Sequence, residues 1–319
     1  MQRVPLGSSG IEVSRLCLGA MNFGWTADES ASFAVLDAFV EAGGNFIDTA
    51  NIYSAWAPGN RGGESEEILG RWIHTRGNRD SLVIATKVRA RMWPGANGEG
   101  LGRAHITRAV EDSLRRLQLY TIDLYQAHSP DAAVPIEETL AVFADLITAG
   151  KVRSIGLSNY TAAELTAALD AARTLGVPVV SLQPHYNLVH RAEFESSLQQ
   201  ACLEAGVAVL PYSPLAAGFL SGKYAKGDPM RARVKKYATR RGWGALSAVQ
   251  DVATARGVPP AVVSLAWLMA QPAVTAPIVG ANTPAQLGEP LTALDFNLTP
   301  EEFATLSIAS MPPPTAAKP

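Results

Sequence analysis

At 319 residues the chain has room for two ordinary domains or for one α/β barrel. Hydrophobic residues make up 47% and charged residues 18%, enough apolar material for a large core and too little charge for a disordered chain. A net charge of −2, with a pI near 6.2, offers no overall field for nucleic acid or an anionic membrane, so neither is an expected partner. Cys17 and Cys202 each sit in an apolar run and read as core residues without a disulfide, as in a reducing cytosol. The opening stretch MQRVPLGSSGIEVSRL has no signal-peptide apolar segment, and no run approaches the roughly 20 residues of a membrane helix. The expectation is a soluble cytoplasmic protein whose oligomeric state is left open.

Val4–Leu6 and Ile11–Val13 flank Gly7-Ser8-Ser9-Gly10 and read as a short N-terminal hairpin. An alternation then begins. Strands are predicted at 16–20, 45–47, 82–85, 122–126, 152–157, 179–182, 207–210 and 274–278. Helices are predicted at 28–42, 64–74, 106–117, 136–149, 162–175, 193–205, 261–270, 284–291 and 300–309. Gly150, Gly176 and Gly206 stand where C-caps belong. The strands are near-continuously apolar, as strands buried on both faces are. Eight such βα units predict a (β/α)8 TIM barrel forming one domain over 1–319, with the hairpin, extra helices and a loose tail over 312–319. An open doubly wound sheet is the runner-up, but no G-x-G-x-x-G turn follows the first strand.

In a barrel the carboxyl ends of the strands share one mouth, where catalysis sits. The predicted strands end in Asp48, in Thr86-Lys87, in His128, in Ser158-Asn159, in Gln183, in Tyr212-Ser213 and in Gly280, while Tyr53 follows Asp48 by five positions. Singly, these residues have plain structural explanations: an Asp as turn former, a Lys as strand terminus, a His hydrogen bonded in the core. Their convergence on one mouth favours a site. A tyrosine, with an ordinary pKa of about 10, is a poor proton donor unless a cation stabilises its phenolate. Lys87 can supply that cation, Asp48 can hold it, and His128 can orient a carbonyl oxygen. An aromatic such as Tyr212 can stack a nicotinamide ring, with Asn159 and Gln183 on its carboxamide. That set suits a carbonyl reductase.

The stretches LCLGAMNFG, NFIDTANIY, GGESEEILG, LVIATKV, SLRRLQLYTIDLYQAHSPD, AGKVRSIGLSN, LQPHYN, VLPYSPLAAGFLSGKY and PIVGANTPAQL run from Leu16 to Leu287. Together they resemble the aldo-keto reductases, in the branch with bacterial stress-type reductases and potassium-channel β subunits. The resemblance implies a catalytic tetrad of Asp48, Tyr53, Lys87 and His128, with Tyr53 as proton donor. It implies a nicotinamide cofactor extended across the mouth, with Gly19, Ala20, Met21 and Asp48 beside it and Ser158, Asn159 and Gln183 holding its carboxamide. Tyr212 would stack the ring, and Ser213, Pro214, Leu215 and Gly218 would follow the pyrophosphate. Gly280, Asn282, Gln286 and Glu289 would meet the adenosine end.

Two departures concern that end. Asn282 stands where the family often has a basic residue near the adenosine 2′-phosphate, and Pro290 where it has an Asn. Lys223 or Arg233, from the long segment after the seventh strand, is the candidate replacement cation. NADPH is the expected cofactor, with NADH use left open. The expected substrate is a small carbonyl compound. Loops at 23–26, 54–61, 89–103 and 219–243 would wall its pocket, so Trp25, Trp56 and Trp93 join Tyr53 and His128 as candidate contacts, with Trp243 nearby. Loop tryptophans serve as substrate walls or as loop anchors, and both readings stand. Competing functions are a non-catalytic NADP(H)-binding regulatory subunit and a Schiff-base aldolase using Lys87. Nucleic-acid binding would rest only on the basic cluster Arg231–Arg241, read as a solvated loop.

Overall fold

Two short strands, β1 (Arg3–Pro5) and β2 (Glu12–Ser14), pair antiparallel through Arg3–Ser14, Val4–Val13 and Pro5–Glu12, as the hairpin pattern predicts. The structure, a computed structural model, describes residues 1–313. From residue 314 onward the expected loose tail lies outside the described residues.

After the hairpin the chain alternates. The first units are β3 (Cys17–Gly19), α1 (Glu29–Glu41), β4 (Phe46–Asp48), α2 (Glu64–Arg76), β5 (Val83–Val88), α3 (Arg103–Leu117) and β6 (Ile122–Ala127). Then come α4 (Ile136–Thr148), β7 (Val152–Ser158), α5 (Ala162–Leu175), β8 (Val179–Gln183), α6 (Gln199–Ala205) and β9 (Ala208–Val209). The chain continues through α7 (Ala232–Lys235), α8 (Arg240–Arg256), α9 (Pro260–Met269), β10 (Ile278–Val279), α10 (Gly288–Ala293) and α11 (Pro300–Ala309). Local chemistry sets many boundaries. The Asp28 side chain accepts from the Ala31 amide, and Thr161 and Thr299 form capping boxes with Glu164 and Glu302. Gly176 and Gly206 close α5 and α6 in the left-handed conformation.

The eight strands from β3 to β10 run parallel in the order β10-β3-β4-β5-β6-β7-β8-β9. The two ends of this sheet meet. Val209 bridges Val274, Thr275 N donates to Val209 O at 2.9 Å, and Ile278 N donates to Pro211 O at 2.9 Å. This is the (β/α)8 barrel that the alternation predicts.

Because strand side chains alternate, the barrel has two cores. Leu18, Ile47, Ile84, Tyr125 and Leu182 point outward into the layer beneath the helices. Phe46, Val83, Ala85, Leu124 and Ala208 point inward, and the hairpin's Leu6, Ile11 and Val13 plug that interior from the amino ends of the strands. One pleat further toward the carboxyl ends, the same inward alternation carries Asp48, Lys87, Gln126 and Gln183.

Two expectations need correction. The segment after β9 is not loop throughout: α7 and the 17-residue α8 occupy much of it, so the basic cluster ends on a helix and Trp243 sits in a helical first turn. Gly242 and Gly244, among the first five residues of α8, hid the periodicity. The helix predicted over 193–205 begins instead with a π-helical turn, Phe194–Leu198, before α6. No single helix among the described residues is long and apolar enough to cross a membrane.

The hairpin's fit is testable at Gly7, where φ is +53° and a Cβ would lie 2.3 Å from Val180 O. Gly7→Ala should therefore cost about 2–4 kcal/mol, from the left-handed backbone plus overpacking. Gly10→Ala, with φ +71° and no atom within 4 Å, should cost only about 1 kcal/mol. Equal losses in urea titrations of the two variants would contradict a hairpin seated tightly against β8.

Candidate active site

The inward alternation of β4 and β5 brings a carboxylate and an ammonium together inside the mouth. Lys87 is 0% exposed and Asp48 2%, so both charges have left water. The ammonium uses all three of its protons: Lys87 Nζ donates to Asp48 Oδ2 at 2.5 Å, to Thr49 O at 2.8 Å and to Tyr53 Oη at 2.9 Å. The other carboxylate oxygen, Asp48 Oδ1, accepts from Gln126 Nε2 at 3.1 Å and from Gln183 Nε2 at 3.0 Å. Gln126 was not singled out from sequence, although the inward period from Leu124 to His128 marks it.

Tyr53 comes from the loop after β4 and is held there by neighbours. Ser54, in a left-handed conformation at φ +73°, donates to Phe23 O at 2.6 Å, and Asn60 Nδ2 donates to Gly24 O at 2.8 Å. Burial raises the Tyr53 pKa, Lys87 pulls it back, and the net direction is upward from 10.0. Lys87 thus restrains the phenol's pKa without bringing it below the ordinary value, contrary to the simple expectation that the cation dominates. Lys87 shows the converse balance. Burial favours the neutral amine, but Asp48 and Tyr53 outweigh it and the pKa rises.

His128, just past β6, has its ring centroid 6.0 Å from that of Tyr53. Burial, then Lys87 and Arg89, lower its pKa to about 3, so the imidazole is neutral at physiological pH. Arg89, at φ +146°, donates from Nε to Pro130 O at 3.2 Å.

The polar groups beyond β7 and β8 interlock. Asn159, left-handed at φ +61°, donates from Nδ2 to His128 O at 2.9 Å and to Ser158 Oγ at 3.1 Å. Its Oδ1 accepts from Tyr212 Oη at 2.8 Å, while Ser158 Oγ donates to Gln183 O at 2.9 Å. Tyr212, Asn159, Ser158, Gln183 and the tetrad therefore form one continuous cluster.

From Tyr53 a row of rings leads outward. Trp56 lies edge-on at 6.1 Å, Trp25 meets Trp56 edge-on at 5.6 Å, and the Arg233 guanidinium lies 5.6 Å from the centre of the Trp25 ring. Trp56 and Trp25 are 46% and 37% exposed, which leaves both able to meet a ligand. Trp93 is placed differently. It lies 4.7 Å from the His105 ring on α3, with the Arg108 guanidinium 4.1 Å from its centre, which is the environment of a loop anchor. Trp243 packs edge-on against Phe219 at 5.0 Å.

The remaining candidates flank β3, β9 and β10. Ala20 N donates to Asp48 O at 2.8 Å, and a Cβ on Gly19 would lie 2.8 Å from Ile278 Cγ2. Met21 is exposed. Past Tyr212, the segment Ser213-Pro214-Leu215 leads into three left-handed residues, Ala216, Ala217 and Gly218, at φ +51°, +56° and +89°. Lys223 folds back on them: its Nζ lies 2.9 Å from where a Cβ on Gly218 would stand. After β10 and Gly280, Asn282 N donates to Gln286 Oε1 at 2.7 Å, and Thr26 Oγ1 donates to Asn282 Oδ1 at 2.9 Å. Glu289 is exposed in the first turn of α10. A separate cavity of about 750 Å³ lies toward the opposite end of the barrel, lined by Met1, Arg15 and Phe296 among others, and contains none of these groups.

Comparison with known proteins agrees with this geometry. Residues 15–310 match the model of the Aldo/keto reductase family. The chain is similar to the uncharacterized oxidoreductase YrpG of Bacillus subtilis (strain 168), at 36% identity over 96% of this chain and 95% of the relative. It is similar to a probable voltage-gated potassium channel subunit beta of Oryza sativa subsp. japonica, at 35% identity over 94% of each. It is also similar to the L-glyceraldehyde 3-phosphate reductase of Escherichia coli (strain K12), at 31% identity over 98% of this chain and 91% of the relative. The barrel, its buried Asp48–Lys87 pair and these matches make the chain a member of the aldo/keto reductase family of oxidoreductases.

Proposed function

We propose that the chain reduces aldehydes and ketones to alcohols by hydride transfer from a nicotinamide cofactor, NADPH in preference to NADH, with Tyr53 as proton donor. The observation that carries this reading is the 2.9 Å contact of Lys87 Nζ with Tyr53 Oη inside the Asp48 network. The phenol oxygen accepts from the ammonium and so keeps its own proton free for a substrate oxygen.

The residues fit such a cofactor. No donor among the described residues meets the Gln183 amide oxygen, which leaves an acceptor for the carboxamide N–H. Asn159 stands beside it, and no second aromatic ring among the described residues covers the side of Tyr212 away from His185. At Gly218 the absence of a Cβ lets the Lys223 ammonium lie against the backbone where the pyrophosphate would approach. A bound reduced nicotinamide would supply the hydride. Tyr53 delivers the proton to the carbonyl oxygen, and the resulting phenolate is stabilised by Lys87. Neutral His128 donates an N–H to the same oxygen, orienting the carbonyl and polarising it as charge develops. Asp48, held by Gln126 and Gln183, keeps the ammonium charged and aimed. Trp56 and Trp25 wall an open mouth suited to assorted small carbonyl compounds, phosphorylated aldehydes such as the name of the bacterial relative suggests among them.

For the adenosine end we favour Arg233. It lies over Trp25, whose neighbour Thr26 hydrogen bonds Asn282, whereas Lys223 lies against Gly218. We assign the 2′-phosphate to Arg233 and the pyrophosphate to Lys223.

A regulatory role without turnover is the second reading, favoured by the similarity to a potassium channel β subunit. The assembled tetrad argues against it. An aldolase reading is weaker still, because Lys87 is held as a fully hydrogen-bonded ammonium and offers no free amine.

With 4-nitrobenzaldehyde, NADPH oxidation should be readily measured for the wild type and fall by about 100-fold or more in Tyr53→Phe, with NADPH still bound. No turnover by the wild type across a carbonyl panel, despite cofactor binding, would favour the regulatory reading. Arg233→Met should weaken NADPH binding by about 10- to 100-fold and leave NADH binding unchanged, as loss of a charged hydrogen-bond donor implies. Equal effects on both cofactors in fluorescence titrations would remove Arg233 from the 2′-phosphate.

A further inference from the structure

The ring expected to carry the nicotinamide is itself stacked from behind. His185 and Tyr212 form a parallel β-bridge just past β8 and β9, with Tyr212 N donating to Pro184 O at 3.0 Å. Side chains at bridged positions of neighbouring strands stand about 4.8 Å apart. The two rings accordingly lie 5.1 Å apart and within 10° of parallel. On its other side the His185 imidazole stacks on His190 at 3.8 Å and 21°. Its Nε2 lies 2.7 Å from the hydroxyl of Tyr237, which follows α7 in the long segment after β9. Asn187 reinforces the arrangement, donating to Ser213 O at 2.9 Å.

We propose that His185 is a positioning residue for the cofactor: it backs the Tyr212 ring and ties it, through Tyr237, to the segment that also carries Arg233. The proposal rests on the reading that Tyr212 stacks the nicotinamide. A tyrosine at the rim of a mouth has torsional freedom that cofactor binding must remove, and a partner that orders the ring beforehand raises affinity. A flat group covering one face also leaves a single face for the ligand. At the phenol end Tyr212 donates to Asn159, so ring plane and ring rotation are fixed by different partners. Burial, His190 and Lys236 together hold the imidazole neutral, with its pKa lowered to about 3, so the stack adds no positive charge beneath an oxidised, cationic nicotinamide.

The test uses the full-length protein in His185→Leu, His185→Gln, His185→Phe and Tyr237→Phe forms. Two quantities are read: NADPH dissociation by fluorescence, and the aromatic ¹³C shift of Tyr212 in the cofactor-free protein. His185→Leu and His185→Gln should move the Tyr212 resonance and weaken NADPH binding by about tenfold, the value of about 1.4 kcal/mol. His185→Phe keeps a flat ring and should stay within about threefold of the wild type. Tyr237→Phe should fall between the two. If the folded Leu and Gln variants bind NADPH as the wild type does, His185 is only a packing residue and the proposal fails while the reductase reading stands. If the Phe variant is as weak as the Leu variant, the ring is not what matters and the proposal fails likewise. A wild type that does not bind NADPH would overturn the proposal and the cofactor reading together.

Discussion

A carboxylate and an ammonium taken out of water at the mouth of the barrel organise everything around them. Separately, Asp48 or Lys87 would be intolerable there, because an unpaired charge in a dry interior costs several kcal/mol. Together they are neutral, and their remaining hydrogen-bonding capacity is used on surrounding groups. The ammonium reaches Tyr53 and the Thr49 carbonyl, and the carboxylate takes two amide donors from β6 and β8. Losing either partner would leave the other buried and unpaired, a loss of about 3–5 kcal/mol beyond any loss of chemistry.

This arrangement explains why the barrel is built as it is. The interior is apolar in its lower layers, where Phe46, Val83 and Leu124 meet the plugging hairpin, and turns polar at the last inward positions of β4, β5, β6 and β8. The plug fills the amino ends of the strands, and the ion pair lies toward their carboxyl ends. The same desolvation that makes the pair expensive alone drives His128 neutral and raises the Tyr53 pKa. A phenol that retains its proton and an imidazole that carries no charge are the protonation states that the proposed carbonyl reduction asks of Tyr53 and His128. Burial is the largest cause of both.

Much of this was legible in the residues. Short β-branched runs alternating with capped helices implied the barrel, and strand-end Asp48, Lys87 and His128 with nearby Tyr53 implied the mouth. Two of the misses share a physical reason, namely that they depend on partners distant in sequence. Gln126 matters only because β6 lies two strands from β4, with β5 between them, and His185 only because its segment bridges Tyr212. The direction of the Tyr53 shift depended on how much water the fold removes, which periodicity does not report. Helix α8 was hidden by two glycines and a basic first turn, a sequence that is poorly helical by itself and is held by packing of Leu246 and Val249 into the outer core. For Trp93 the sequence left substrate wall and loop anchor both open, and in the fold its ring packs on His105 and Arg108 of α3.

The central claim is that the buried ammonium tunes the phenol. The most direct measurement is a ¹³C NMR titration of the Tyr53 ring carbon next to the hydroxyl, in wild type and in Lys87→Met, with Tyr53→Phe used to assign the resonance. With the ammonium gone, nothing offsets burial and the neighbouring Asp48, so the phenol should hold its proton to higher pH than in the wild type. An unchanged titration, or one moved to lower pH, would mean that Lys87 does not act on Tyr53 and would contradict the account.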